Sequence, residues 1–177
     1  MVAHVAHNTG NNEWYTPNWI IESARQVLGT IDVDPASNAV AQQVVKAGSY
    51  YTVENDGLVK NWNGSVWIHP PYSSVLIKQF CNKLKEQVAA GNTESFITLT
   101  NNATETKWFK DLADVSNVFC FLTKRVRFIS SDGSMGKQPL QGQVLCMRGT
   151  DEQILKFREA FKDSGILLST TCVKHSF

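Results

Sequence analysis

The chain has little net charge. Seventeen lysines and arginines stand against sixteen aspartates and glutamates, leaving +1, and charged residues are only 19% of the 177. Such a balance excludes a histone-like binder that coats nucleic acid by charge alone, so any nucleic-acid contact must rest on a local basic patch. Cysteine is sparse and never paired as Cys-x-x-Cys: Cys81, Cys120, Cys146 and Cys172 lie far apart, each in an apolar stretch. This argues against a disulfide framework or a metal site and for buried free thiols in a reducing cytoplasm. No apolar run approaches the ~18 residues of a membrane span. The opening, MVAHVAHNTGNNEW, has neither a cationic region nor an apolar core, so it does not read as a signal peptide. Repeats, low-complexity tracts and long linkers are also missing. Residues 1–12 therefore read as a flexible polar arm, and 13–177 as one domain long enough to bury a core.

What is present is an alternation of helical and strand patterns. Thr16 and Pro17 read as an N-cap and first-turn pair, followed by Ile20, Ile21, Ala24, Val27 and Leu28 at helical spacing and a stop at Gly29. Ile31–Val33 is a short strand ending at Asp34-Pro35, and 39–46 is expected to be helical. Val66–Ile68 is a strand; Ile77, Phe80, Cys81, Leu84 and Val88 share a helix face, with Gly91 after it. Strands are then expected at 96–99, 118–122, 126–129, 144–147 and 166–173, with helices at 104–113, capped by Thr104, and around Ile154–Phe161. This order predicts an α/β domain with a mostly parallel sheet and an antiparallel C-terminal edge. Ligands of such sheets bind at the carboxyl ends of the strands, where both Asp34-Pro35 and His69-Pro70 fall.

The most informative run is Val66-Trp67-Ile68-His69-Pro70-Pro71-Tyr72. A buried strand stops at two prolines, which cannot continue a ladder, and presents a polar side chain, fixed carbonyls and an aromatic face. That apparatus suits a planar, amino-bearing base. The polar group and the Pro70 carbonyl accept from the exocyclic amine, and Tyr72 stacks on a ring taken out of its duplex.

The run resembles the (Asp/Asn)-Pro-Pro-Tyr motif of amino-methyltransferases, with histidine in first place. It has company: Glu13-Trp14-Tyr15-Thr16-Pro17, Asp32-Val33-Asp34-Pro35-Ala36-Ser37, Glu54-Asn55-Asp56-Gly57-Leu58 and Asn101-Asn102-Ala103-Thr104-Glu105-Thr106-Lys107-Trp108-Phe109. Together, over roughly residues 11–148, these resemble the phage-type, Dam-like DNA N6-adenine methyltransferases. The resemblance implies a Rossmann-like methyltransferase fold, S-adenosylmethionine as methyl donor and adenine in double-stranded DNA as substrate. It places the enzyme in the cytoplasm, that of the host if phage-encoded, with no metal required.

On that reading His69, Pro70, Pro71 and Tyr72 form the catalytic pocket. Tyr15, Thr16 and Pro17 meet the donor's carboxylate at a helix start. Asp34, Pro35, Ala36 and Ser37 form the donor loop, with Asp34 accepting from the ammonium group; this loop has no Gly-x-Gly. Asp56 contacts the donor's adenine or ribose, or only shapes an Asp-Gly turn. Lys124, Arg125 and Arg127, with Lys107 and Lys137, are candidate phosphate contacts around a polar loop at 130–142. The asparagines at 101 and 102 line the pocket or form a turn. Trp14 and Tyr15 stack near the donor or staple the helix, and Trp108 and Phe109 read as core. Since only a neutral imidazole can accept, activity is expected to fall below about pH 6.5, the ordinary histidine value. Two other readings stand beside this one: a binding protein whose histidine has ended catalysis, and an amino-methyltransferase for RNA or a protein glutamine.

Overall fold

The computed structural model describes residues 14–130, 133–136 and 139–170. The expected arm at 1–12, Lys137, Cys172 and the end of the strand expected over 166–173 lie outside them. Helix α1 spans Asn18–Leu28, and its buried face is the five apolar residues whose spacing predicted it. Gly29 ends it at φ 85°, its N–H donating to the Arg25 carbonyl. The expected Thr16 cap is not formed. Pro17 occupies the cap position without a side-chain bond, because the Thr16 hydroxyl is turned to His69.

Among the described residues seven strands form one sheet: β1 (Val33–Asp34), β2 (Ser49–Tyr50), β3 (Gly64–Ile68), β4 (Thr93–Asn101), β5 (Val118–Leu122), β6 (Gln143–Arg148) and β7 (Gly165–Ser169), in the order β2-β1-β3-β4-β6-β5-β7. The pairs β2–β1, β1–β3 and β3–β4 are parallel, whereas β4–β6, β6–β5 and β5–β7 are antiparallel. The antiparallel part is thus broader than an edge and reaches the middle of the sheet. A return link, rather than a helical crossover, feeds β6 between β4 and β5.

The sheet's alternation fills two layers. Trp67, Ile97, Leu99, Leu145 and Met147 face α1 and α5 (Asp151–Phe161). Val66, Ile68, Phe96, Val144 and Cys146 face α3 (Leu76–Ala89) and α4 (Lys107–Asp114). Trp67 and Phe96 are fully buried, each contributing on the order of 1.5–3 kcal/mol of burial. The thiols of Cys81, Cys120 and Cys146 are free and buried. No described helix is long and apolar enough to cross a membrane.

Four details differ from expectation, each for a local reason. Helix α2 is short, Gln42–Val45, and the chain leaves it to add β2 beside β1. On α3 the buried residue of the last turn is Gln87, with Val88 half-buried; Gln87 Oε1 accepts from Trp62 N–H at 2.8 Å and from Asn92 Nδ2 at 3.1 Å. The cap of α4 is Thr106, which accepts from Phe109 N–H, not Thr104. Finally, 126–129 is no strand of the sheet. Val126 N–H goes to the Gln143 side chain at 3.0 Å, and only Ile129 makes isolated bridges, to Tyr15 and Met135.

The topology fixes where a ligand fits. From β1 the chain crosses through α2 to β2 on one side; from β3 it crosses through α3 to β4 on the other. The outgoing connections diverge and leave a crevice at the carboxyl ends of β1 and β3.

Candidate active site

Both polar–proline terminations open on that crevice. Asp34 is the last residue of β1, and His69 directly follows β3, its neighbour in the sheet. His69 falls on the Trp67 side by the two-residue period of the strand, and its ring stacks on Phe128 with centroids 5.0 Å apart and planes 15° apart. Nδ1 meets the Thr16 hydroxyl at 3.0 Å and Nε2 the Tyr72 hydroxyl at 3.1 Å. Tyr72 stands edge-on to His69 at 5.2 Å. The imidazole is half-buried by surface, yet enclosed on both nitrogens and one face, so solvent cannot support its charged form. Burial pushes it down to about 4. This enclosure argues against the ring as the source of the expected loss of activity below pH 6.5. Burial likewise holds the Tyr72 hydroxyl well above its ordinary value, as a phenol.

Asp34 is only 3% exposed. Its Oδ2 accepts from Gln42 Nε2 at 2.8 Å and its Oδ1 from Ala36 N–H at 3.4 Å. Burial pushes its carboxyl up to about 6, outweighing the bonds from Ser37, Ala36 and Gln42. No basic side chain among the described residues pairs with it. Asp32, two residues earlier, shows the opposite balance: burial raises it, but bonds from Ser65 and Thr30 win and hold it below its ordinary value. Asp32 is a structural tie; Asp34 is a carboxylate lacking a cation.

Residues 15–16 clasp the crevice. Tyr15 and Ile129 exchange two backbone hydrogen bonds of 2.8 Å, the Tyr15 hydroxyl accepts from Asn38 Nδ2 at 3.3 Å, and Thr16 reaches His69. Ser37 accepts from the same Gln42 amide that serves Asp34, at 2.7 Å. The structure thus gathers Tyr15, Thr16, Asp34, Pro35, Ala36, Ser37, His69, Pro70, Pro71 and Tyr72 around one edge, with Pro17 opening α1. Asp56 caps a 3-10 turn at Gly57–Val59, accepting from Leu58 N–H at 3.0 Å, as the turn reading expects. The turn still lies beside the loop: a Cβ on Gly57 would sit 2.0 Å from the Pro35 carbonyl oxygen. Trp62, fully buried, holds that turn through Nε1 on the Gly57 carbonyl at 2.8 Å.

Three participants were not anticipated. Asn38 and Gln42 carry no signal beyond polarity at a helix start. Phe128 was visible, but alternation with Val126 marked it as strand core. The same alternation turns Arg125 and Arg127 outward. Because β5 runs alongside β4 with β6 antiparallel between them, the link leaving β5 starts at the carboxyl edge that holds His69. Lys124, Arg125 and Arg127 are exposed there. Arg125 donates to the Pro139 carbonyl at 2.9 Å, Arg127 touches the Met135 sulfur at 3.9 Å, and none of the three meets a carboxylate among the described residues. Lys107 differs: its ammonium is held by Asp111 at 2.5 Å, beside Lys85. Asn102 N–H donates to the Gly142 carbonyl at 3.0 Å, a backbone bond that joins the end of β4 to the start of β6. Trp14 packs on the core and against Gly136, and Trp108 and Phe109 pack in the α3–α4 layer. No described group of three histidines, cysteines or carboxylates is placed to hold a metal.

No curated protein matches the chain. A family profile does, that of DNA N-6-adenine-methyltransferase (Dam), over residues 4–170. With nearly its whole length matched, the chain belongs to the Dam family of DNA adenine N6-methyltransferases.

Proposed function

We propose that this chain transfers a methyl group from S-adenosylmethionine to the N6 amine of an adenine flipped out of duplex DNA. The observation that carries the reading is the pairing across the crevice: a neutral imidazole ending β3 beside a cation-deprived carboxylate ending β1. The donor fits these residues. Its ammonium group is the cation that Asp34 lacks, and Ala36 and Ser37 are small enough for close approach. Tyr15, Thr16 and Pro17 border the same loop, and Asp56 flanks it.

The donor, when bound, supplies a methyl on a sulfonium that is already electrophilic, so the protein's work is positioning and desolvation. With the donor bound, His69 Nε2 and the Pro70 carbonyl would accept the two amine hydrogens and turn the nitrogen lone pair toward the methyl, and His69 Nε2 would draw off the proton that the amine sheds as the methyl leaves sulfur. Tyr72 covers the base. Catalysis needs no covalent enzyme intermediate. Duplex incubated with methyl-labelled donor should yield labelled N6-methyladenine, even with RNA in excess. Donor bound but no label on any duplex would overturn the reading in favour of a binding protein, and label in RNA alone would change the substrate.

Stacking on Tyr72 predicts that Tyr72→Ala weakens DNA use by roughly five- to 150-fold, the ~1–3 kcal/mol of one base–aromatic stack. Donor affinity should be retained, and Tyr72→Phe should keep most of the stacking. Equal loss of donor binding in Tyr72→Ala would refute the assignment.

Lys124, Arg125 and Arg127, with Lys137 and the 130–142 loop, form the proposed phosphate contact, leaving Lys107 secondary because Asp111 already holds it. Lys124→Ala with Arg125→Ala should reduce the salt slope of DNA binding by about two. An unchanged slope would exclude both as phosphate contacts.

A further inference from the structure

Thr16 does something besides border the donor loop. Its hydroxyl is on Nδ1 of His69 at 3.0 Å, and Tyr72 holds the other ring nitrogen at 3.1 Å. A neutral imidazole has one N–H and one lone pair, so one hydroxyl must accept and the other must donate. Two arrangements satisfy both contacts. In the first, Nδ1–H donates to Thr16 and Tyr72 O–H donates to Nε2; in the second, both bonds are reversed. The phenol decides between them. It is the more acidic hydroxyl and so the better donor, and its oxygen lone pairs are partly drawn into the ring. The aliphatic hydroxyl of Thr16 is the better acceptor. The first arrangement is therefore favoured, and it leaves the lone pair on the nitrogen that faces Tyr72.

We propose that Thr16 is a positioning residue that fixes His69 as the Nδ1–H tautomer, so that Nε2 is the acceptor for the substrate amine. This rests on the reading of His69 as the amine acceptor. It also explains how a histidine serves where an Asp or Asn oxygen would accept without assistance. Nε2 is the acceptor in only one of the two neutral forms of an imidazole, and a second residue has to choose the form. Phe128, stacked at 5.0 Å, fixes the plane of the ring but cannot choose. Tyr72 O–H occupies the lone pair, so an arriving amine exchanges one hydrogen bond for another.

The test uses the full chain with unmethylated duplex and labelled donor, together with ring ¹⁵N shifts of His69, which report which nitrogen is protonated. The native chain should show Nδ1 protonated. Thr16→Val preserves shape but removes the acceptor. Its His69 should shift toward the Nε2–H form, with kcat falling roughly tenfold or more and donor KM little changed. Thr16→Ser should restore the tautomer and most of kcat, which also guards against misfolding as the cause. Protonation at Nε2 in the native chain would overturn the proposal. So would an unchanged tautomer and kcat in Thr16→Val when His69→Ala is inactive. Full methylation by His69→Ala would instead overturn the pocket reading itself, and this proposal with it.

Discussion

His69→Ala is expected to lower kcat for adenine methylation by about a hundredfold or more, the usual cost of removing one preorganised polar group from a reacting centre. His69→Asp is expected to retain activity, because a carboxylate oxygen accepts from the same amine. Donor affinity should be similar in both, since neither change touches Asp34. The pH profile sharpens the prediction. A protonated imidazole cannot accept, but burial pushes this ring down to about 4, so kcat should stay nearly flat from pH 8 to about 5. The measurement is label transfer at saturating donor across that range. A fall in saturated kcat centred on pH 6.5 would show an imidazole open to water, contrary to the enclosure by Thr16, Tyr72 and Phe128. A native chain without activity, made active by His69→Asp, would identify a scaffold silenced at one residue.

Asp34→Asn should separate stability from function. The native carboxyl is pushed up to about 6 by burial, against 3.8 for an ordinary aspartate. A raised value means the folded state holds the proton more tightly than the unfolded chain. The stabilisation is complete below about 3.8 and is lost as pH rises through about 6. At pH 8 the ionised group is therefore a burden, with a ceiling of about 3 kcal/mol from the size of that gap. Asparagine removes the charge and keeps one oxygen for the Gln42 amide. The variant should be more resistant to urea at pH 8, by on the order of 1–3 kcal/mol, with little advantage at pH 4. Donor affinity should drop at least tenfold, because the ammonium loses its counter-charge. In the native chain the same group predicts a donor KM that rises below about pH 6 while saturated kcat does not fall. The pH dependence first expected of the histidine is thereby reassigned to the aspartate, and to binding rather than turnover. An Asp34→Asn chain that is less stable at pH 8 yet binds donor normally would refute both halves.

Much of this arrangement could be read from residues alone, for identifiable reasons. Helix α1 was legible because five apolar residues at 3.6 spacing and a glycine after them admit few other readings. The two polar–proline strand ends were legible because proline stops a ladder wherever it falls. The link at 126–129 was misread because an extended segment packed on one side has the same two-residue period as a paired strand. Only the destination of its N–H groups, such as Val126 on Gln143, tells them apart. Thr16 was misread for a related reason. A threonine before a proline at a helix start has a local use, and nothing in its neighbours shows that its hydroxyl reaches a histidine 53 residues away. The titration of Asp34 and His69 was illegible because burial sets it, and burial belongs to the assembled layers.

The link at 126–129 has a mechanical consequence. Phe128 lies against the His69 ring, and Arg127 is the next residue, pointing the opposite way. Ile129 is bonded in both directions to Tyr15, the neighbour of Thr16. An anion that pulls on Arg127 thus draws on the same few backbone atoms that set the pitch of the imidazole. If Arg127 holds a phosphate as proposed, grip on the outside and aim on the inside would share one link. By reciprocity, whatever coupling energy lets a seated duplex improve the aim must return as a tighter hold on the duplex once the base is aligned. Such a lever would make nonspecific contact and productive contact energetically distinct within the one fold.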